Sequence, residues 1–238
     1  MKAPLPENEP QRLAALRAYH ILDTAGEQAY DDITTLAAYI CNVPIAMISL
    51  VDETRQWFKS KVGLTQAETP RDVAFCAHAI LQSEPLIVRD ATTDSRFCES
   101  TLVTGEPHIR FYAGFPLVSP DGFAVGTLCA VDRKTNQLND HQRQTMVALS
   151  RQVMMLLEHR RVSLQLAQVL EHVKVLSGLL PICAWCKRVR DDHGYWKSVE
   201  AYVRDHTDAD FTHGICPDCL EKTVPGKKRS TAGAETAP

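Results

Sequence analysis

The stretch IRFYAGFPLVSPDGFAVGTLCAVD, residues 109–132, decides how this chain folds. It places two apolar runs, Ile109 to Ser119 and Phe123 to Asp132, on either side of Ser119-Pro120-Asp121-Gly122. Proline presets one turn torsion and glycine supplies a positive one, so local chemistry fixes the turn and the two runs pair as an antiparallel hairpin. A second hairpin lies upstream. Pro44 to Val51 is a dense apolar run of strand length, suited to burial on both faces. Arg55 to Val62 follows across Asp52-Glu53-Thr54 and alternates more clearly. Leu86-Ile87-Val88 makes one further short strand.

Helical spacing surrounds these strands. Glu9 to Leu22 carries Leu13, Leu16 and Ile21 among charged residues, and Ile33, Leu36, Ala37 and Ile40 recur after the turn at Asp23 to Gly26. Val73 to Gln82 is helical in spacing and holds Cys76 and His78, whereas Thr92 to Glu106 is polar and irregular, the kind of connection that lids a pocket. The order predicts an α+β fold: an antiparallel sheet with helices packed on one face and a lidded cleft on the other.

From Asn139 to Leu180 there is no proline, and no glycine before Gly178, which predicts a helix of roughly 60 Å. Val162, Leu166, Val169, Val173, Leu176 and Leu180 alternate steps of four and three. Before Arg160 the helix reads as packed on its own domain; beyond Val162 the narrow stripe reads as the seam of a homodimer. Pro181 stops it.

A formal net charge of -3 gives no general attraction to phosphate backbones, so nucleic acid is not an expected partner. No apolar run approaches the roughly 20 residues of a spanning helix, and the N-terminus lacks the apolar core of a secretory signal. A cytoplasmic protein without membrane insertion is expected. Glycine-rich ATP-binding boxes, phosphoacceptor histidine motifs, cyclase signatures and Walker sequences do not occur, which argues against a kinase or cyclase.

The eight cysteines fall into two populations. Cys41, Cys76, Cys98 and Cys129 stand singly. Cys183-Ala184-Trp185-Cys186 and Cys216-Pro217-Asp218-Cys219 are tight pairs 29 residues apart. Two thiolates separated by two residues can face one ion, and two such pairs complete the tetrahedral shell of structural zinc. A redox dithiol pair is the alternative. His213 is a possible substitute ligand. Between the pairs, a turn at Asp191 to Gly194, then Tyr195-Trp196, then an amphipathic Val199 to His206, predicts knuckle, hairpin and helix in a treble-clef-like module. The string from Gly178 to Cys183, with Cys186-Lys187, Gly194-Tyr195-Trp196, Glu200, Tyr202 and Phe211 to Cys219, resembles a cysteine-rich module found at the C-terminus of bacterial signalling proteins. The resemblance implies an output or docking element whose signalling partner is not named.

Leu22-Asp23-Thr24, Pro44 to Asp52, Arg55 to Ser60, Phe75-Cys76-Ala77-His78-Ala79-Ile80, Phe111-Tyr112-Ala113-Gly114, Pro116-Leu117 and Gly126-Thr127-Leu128-Cys129 together resemble a bacterial GAF domain. The resemblance spans about Leu22 to Leu157 and implies a sensor of small molecules. The expected organisation is an N-terminal helical extension at 1–21, the sensor at 22–157, a coiled-coil helix at 158–180, the zinc module at 181–222 and a disordered tail at 223–238.

Cys76, His78, Arg110 and Tyr112 are the candidate pocket residues, a thiol, an imidazole, a guanidinium and a phenol able to converge beneath the polar loop on an unidentified small-molecule ligand. Each also has a plainer role. Cys76 can be a small core residue, His78 a packed histidine, Arg110 the partner of Asp90 or Asp94, and Tyr112 a core residue. Cys76-Ala77-His78 lacks the adjacent cysteine and histidine that the resemblance implies for a covalent bilin. The expected function is a non-enzymatic sensor joined to a zinc-stabilised docking module. The alternatives are a thiol-based enzyme akin to free methionine sulfoxide reductases, with Cys98 near Cys76, or an accessory of a histidine-kinase or cyclic-dinucleotide pathway.

Overall fold

The computed structural model describes residues 2–172, 180–191, 193–207 and 209–223, which fall into two compact units, one running to Ala167 and one starting at Gln168. The first unit contains α1 (Glu9–Ala18), α2 (Gln28–Cys41), β1 (Ile45–Val51), β2 (Arg55–Val62), β3 (Glu68–Pro70), α3 (Phe75–Ala79), β4 (Leu86–Val88), α4 (Thr101–Thr104), β5 (Phe111–Val118) and β6 (Ala124–Asp132). The six strands form one sheet in the order β3-β2-β1-β6-β5-β4, antiparallel throughout.

The 109–132 hairpin forms as its turn chemistry requires. The Ser119 amide donates to the Phe123 carbonyl and the Gly122 amide to that of Ser119, with Gly122 at φ +85°. Its register sets Gly114 opposite Cys129 and Tyr112 opposite Val131.

Alternation along the strands divides the sheet into two faces. Ala46, Ile48, Leu50, Trp57, Phe115, Leu117, Leu128 and Ala130 pack with Leu16, Tyr19 and Ile33 of the N-terminal segment and with Met146, Val153 and Leu157. Ile45, Met47, Phe58, Tyr112, Cys129 and Val131 face the other way, toward Phe75, Cys76 and Ala79 of α3 and toward Phe97 and Val103. The expected helical face and lidded face are both present. Three elements differ from expectation. α3 is five residues rather than ten, because Arg71–Val73 is a 3-10 turn and Ala74 is extended. β3 and α4 carry too few residues for any periodicity to appear.

α1 is anchored by charge as well as by apolar contact. Buried Arg12 donates twice to Glu9, and Arg71 donates to the same carboxylate and to the Asp52 carbonyl. Burial raises the Glu9 pKa, but the two guanidiniums outweigh it and hold the carboxyl down at about 2. A carboxylate whose folded pKa is depressed stabilises the fold above its unfolded value and loses that contribution as pH falls. Glu9→Gln is therefore expected to cost about 3 kcal/mol at neutral pH, with the gap to the wild type closing between about pH 4.5 and 2. Urea midpoints of both proteins across that range measure it, and a gap independent of pH would refute the assignment.

α5 (Asp140–His172) begins at a reciprocal cap in which the Gln142 amide donates to Asn139 Oδ1 and the Asn139 amide donates to Gln142 Oε1. Met146, Val153 and Leu157 are buried, while Met155, Val162, Leu166 and Val169 are more than half exposed. Val173 and Leu176 of the expected seam, and the tail from 224, lie outside the described residues. No described helix is long and apolar enough to cross a membrane.

The second unit holds the expected hairpin and helix: β7 (Val189–Arg190), β8 (Trp196–Lys197), α6 (Val199–His206) and α7 (Pro217–Thr223). Val189 and Tyr202 are its buried apolar side chains among the described residues.

Candidate functional site

A cavity of about 300 Å³ opens on the α3 face of the sheet. Met47, Phe58, Leu64, Phe75, Leu102, Ile109 and Val131 give it apolar walls, and the exposed Glu106 and Arg133 stand at its rim. Two polar atoms of the lining have no partner among the described residues. Gln56 Oε1 and Thr69 Oγ1 are both buried without a hydrogen bond, and their residues are paired across β2 and β3.

Cys76 and Tyr112 meet at this cavity, because α3 lies over the face from which odd-numbered β1 positions and Tyr112 project. The Tyr112 hydroxyl donates to Cys76 Sγ at 3.2 Å, and its ring tilts against Phe75 at 5.1 Å. Gly114 makes the position possible. A Cβ there would lie 2.1 Å from the Tyr112 hydroxyl oxygen, so the ring end occupies the volume that any other residue would fill. Beyond Cys76 the polar row continues inward. Cys129 Sγ is 3.6 Å from Cys76 Sγ, Thr127 Oγ1 is 3.5 Å from Cys129 Sγ, and Ser49 Oγ is buried without a hydrogen-bond partner among the described residues. Burial pushes the Tyr112 and Cys129 groups well above their ordinary ranges. Burial also opposes ionisation of Cys76, but its hydrogen bonds with Cys129, Thr127 and Tyr112 prevail and leave its thiol the more acidic of the pair.

The other two candidates stand outside the lining. Arg110 donates to the Val103 and Ile109 carbonyls at 2.9 and 3.1 Å, which ties the loop carrying α4 to β5, and Asp90 feels its charge. His78 meets the Phe97 ring edge-on at 4.8 Å, and Asp94 lies within reach of its charge. The thiol in contact with Cys76 is that of Cys129; Cys98 sits in the loop before α4, its amide bonded to the Asp94 carbonyl.

In the second unit, each cysteine pair forms a knuckle. The Cys186 amide donates to Cys183 Sγ at 3.5 Å and the Lys187 amide to the Cys183 carbonyl, with Lys187 at φ +60°. The Cys219 and Leu220 amides donate to the Cys216 carbonyl. Backbone N–H groups of the knuckles lower the Cys183 and Cys216 thiols. Within each pair the donors suit one thiophilic ion. Among the described residues no three His, Cys, Asp or Glu side chains are grouped so as to hold a metal ion.

Residues 26–157, more than half of the chain, match the sequence model of the GAF domain. The chain belongs to the GAF family. It is 42% identical over 131 residues to a cyclic di-GMP phosphodiesterase of Pseudomonas aeruginosa, a match that covers 55% of this chain and 22% of that protein. The chain thus spans about a fifth of that relative's length. Among solved structures, the blue-light absorbing form of the Thermosynechococcus elongatus PixJ GAF domain superposes with a TM-score of 0.51 at 15% identity, over 67% of this chain and 96% of that one. A type II free methionine-R-sulfoxide reductase of Thermoplasma acidophilum gives 0.45 at 11% identity, over 56% and 94%.

Sequence reasoning did not single out Gln56, Thr69, Ser49, Thr127 or Cys129 as site residues. A signal for Cys129 was present. The Pro-Asp-Gly turn fixes the register that sets Gly114 opposite Cys129, and alternation then puts Cys129 on the face of Tyr112. Gln56 and Thr69 carry no such mark, because β3 is too short to announce itself.

Proposed function

We propose that this chain is a non-enzymatic signalling protein whose GAF cavity holds a small molecule and whose C-terminal module presents a docking surface to a partner. The cavity with its two buried, unpaired polar atoms carries the reading. An unsatisfied buried acceptor costs about 1 to 3 kcal/mol, a cost that a ligand donor at Gln56 Oε1 removes. The occupant is small, mostly apolar and able to donate a hydrogen bond. Occupancy moves α3 and the α4 loop, and α5 relays the change.

The stripe of Met155, Val162, Leu166 and Val169 on α5 follows seven-, four- and three-residue steps, the spacing of a two-stranded seam, and supports a homodimer. Cys183, Cys186, Cys216 and Cys219 would hold a structural zinc ion, whose contribution when bound is to close a tetrahedral shell and stabilise the fold around it. Eight cysteines that all stand as free thiols suit a reducing compartment, the cytoplasm.

Native mass spectrometry of the full chain tests this as a whole, reporting the dimer mass, one metal per chain and any retained molecule. Gln56→Leu gives the sharper result. It should leave the free protein as stable as the wild type or more so, by about 1 kcal/mol, while abolishing retention. Retention unchanged in that variant would sink the assignment of the cavity.

A second reading rests on the 42% identity to a cyclic di-GMP phosphodiesterase. The match covers 55% of this chain and 22% of that protein, and on this reading the chain serves such a pathway as an accessory rather than as its hydrolase. Turnover of cyclic di-GMP by the purified chain would overturn that. Turnover of methionine sulfoxide lost in Cys76→Ser would instead favour the thiol enzyme.

A further inference from the structure

Cys76 and Cys129 are 53 residues apart in sequence, on α3 and β6, yet their sulfurs are 3.6 Å apart. Both thiols are buried, and they differ in their place relative to the cavity. Cys76 lines the cavity, and Cys129, wholly buried, touches the strand behind it through the Met47 carbonyl. A molecule that enters the cavity therefore comes to Cys76 first, and the Cys129 sulfur stands 3.6 Å from that of Cys76. Closing the gap to a covalent S–S bond of about 2 Å takes a movement of about 1.5 Å, within reach of side-chain rotation.

We propose that Cys76 and Cys129 form a redox pair in which a small peroxide entering the cavity converts the two thiols to a disulfide. This deepens the reading of the cavity as a sensing site and rests on its being open to small molecules. Cys76 thiolate attacks one peroxide oxygen, the O–O bond breaks, and the departing hydroxide takes up a proton to leave as water. Cys76 is then a sulfenic acid. Cys129 sulfur attacks the Cys76 sulfur, the S–S bond forms, the S–O bond breaks, and hydroxide leaves with the Cys129 proton as a second water. Two thiols have lost two electrons and two protons, and hydrogen peroxide has been reduced to two waters.

The surroundings fit each role. The Tyr112 hydroxyl donates to Cys76 Sγ and so favours the thiolate over the thiol, as a nucleophile needs. Cys129, its sulfur 3.6 Å from that of Cys76, is the resolving partner, and it gives up its proton to the departing hydroxide as its sulfur attacks. The new bond would tie α3 to β6 and take the acceptor away from the Tyr112 hydroxyl, changing the cavity wall that a ligand touches.

The test treats the full chain with hydrogen peroxide at a few equivalents, then alkylates under denaturing conditions and maps peptides. The C-terminal cysteines also oxidise, so peptide identity and not total thiol count is read. Cys41 is the internal reference, buried likewise, its thiol pushed up to about 11 by burial and remote from the cavity lining. A crosslinked peptide joining Cys76 to Cys129, about 2 Da lighter than its parts, should form at least about tenfold faster than Cys41 is modified. In Cys129→Ser, Cys76 should stop at a sulfenic acid that dimedone traps, and in Cys76→Ser, Cys129 should stay reduced. Loss of Cys76 at the rate of Cys41, or a crosslink from Cys76 to Cys98, overturns the proposal. Gln56→Leu separates the two readings. A crosslink that persists in this variant when retention is lost upholds both readings, a crosslink with retention unchanged in the variant upholds the redox pair alone, and retention in wild type without a crosslink upholds the cavity and refutes the pair.

Discussion

Gly114→Ala is expected to lower the stability of the GAF domain by about 3 kcal/mol or more and to break the Tyr112 to Cys76 hydrogen bond, although alanine is the smallest change available. The added Cβ would lie 2.1 Å from the Tyr112 hydroxyl oxygen and 2.7 Å from the ring carbon that bears it, distances that no relaxation of alanine itself can relieve. Tyr112 cannot easily retreat. It is 2% exposed, with Phe75 against its ring and Cys76 beyond its hydroxyl. The strand cannot shift either, since Gly114 is paired with Cys129 on one side and Leu86 on the other. Urea unfolding measures the loss. Tyr112→Leu removes the ring end that the added methyl group would strike, so the double variant should be more stable than the sum of the single losses predicts, by about 1 to 2 kcal/mol. A cost below about 1 kcal/mol for Gly114→Ala, or strict additivity, would show that Gly114 is not making room for Tyr112.

The same four residues show what was legible before the fold was known. Phe111-Tyr112-Ala113-Gly114 pointed to the family, and the hairpin around Pro120-Asp121-Gly122 could be drawn because proline and glycine restrict the backbone wherever they stand. The sheet, the helical face and the long helix followed from periodicity, which is a local property. The site did not. Its residues come from β1, β2, β3, α3, α4, β5, β6 and the loops between them, and what matters about them is proximity in space. Two of the four candidates, Cys76 and Tyr112, reached the cavity because each lies in a segment whose face was predictable. Arg110 reads in sequence as a pocket residue or the partner of Asp90 or Asp94 and serves in the structure to tie a loop, since a guanidinium meets backbone carbonyls as readily as it meets a ligand. His78 meets Phe97 because residues two apart on a helix do not share a face, so Cys76 and His78 cannot both turn toward the cavity. Burial without a hydrogen-bond partner, the property that singles out Gln56 and Thr69, is visible only once the neighbours are in place.

Metal withdrawal from the C-terminal module is expected to have the second large effect. The module carries little core, with Val189 and Tyr202 its buried apolar side chains among the described residues, while Trp185, Tyr195 and Ile215 are largely exposed. Apolar burial on that scale does not offset the ordering of some forty residues. Zinc binding to four thiolates supplies on the order of 10 kcal/mol in small zinc domains, and it would also bring together two knuckles that local hydrogen bonds shape but do not join. The full chain purified without chelator should contain about one zinc per molecule by elemental analysis. Chelation should then accelerate tryptic cleavage at Arg188, Arg190, Lys197 and Arg204 by about a hundredfold or more, and Cys186→Ser or Cys216→Ser should do the same without chelator. The pH dependence has a definite sign. Backbone N–H groups already lower the Cys183 and Cys216 thiols, and metal binding must still displace their protons, so affinity falls as the solution is made more acidic. A redox dithiol in each knuckle predicts the opposite pattern: no metal, cleavage indifferent to chelator, and protection lost on reduction. Absence of metal with unchanged protease resistance would remove zinc from the account and leave two independent thiol pairs in its place.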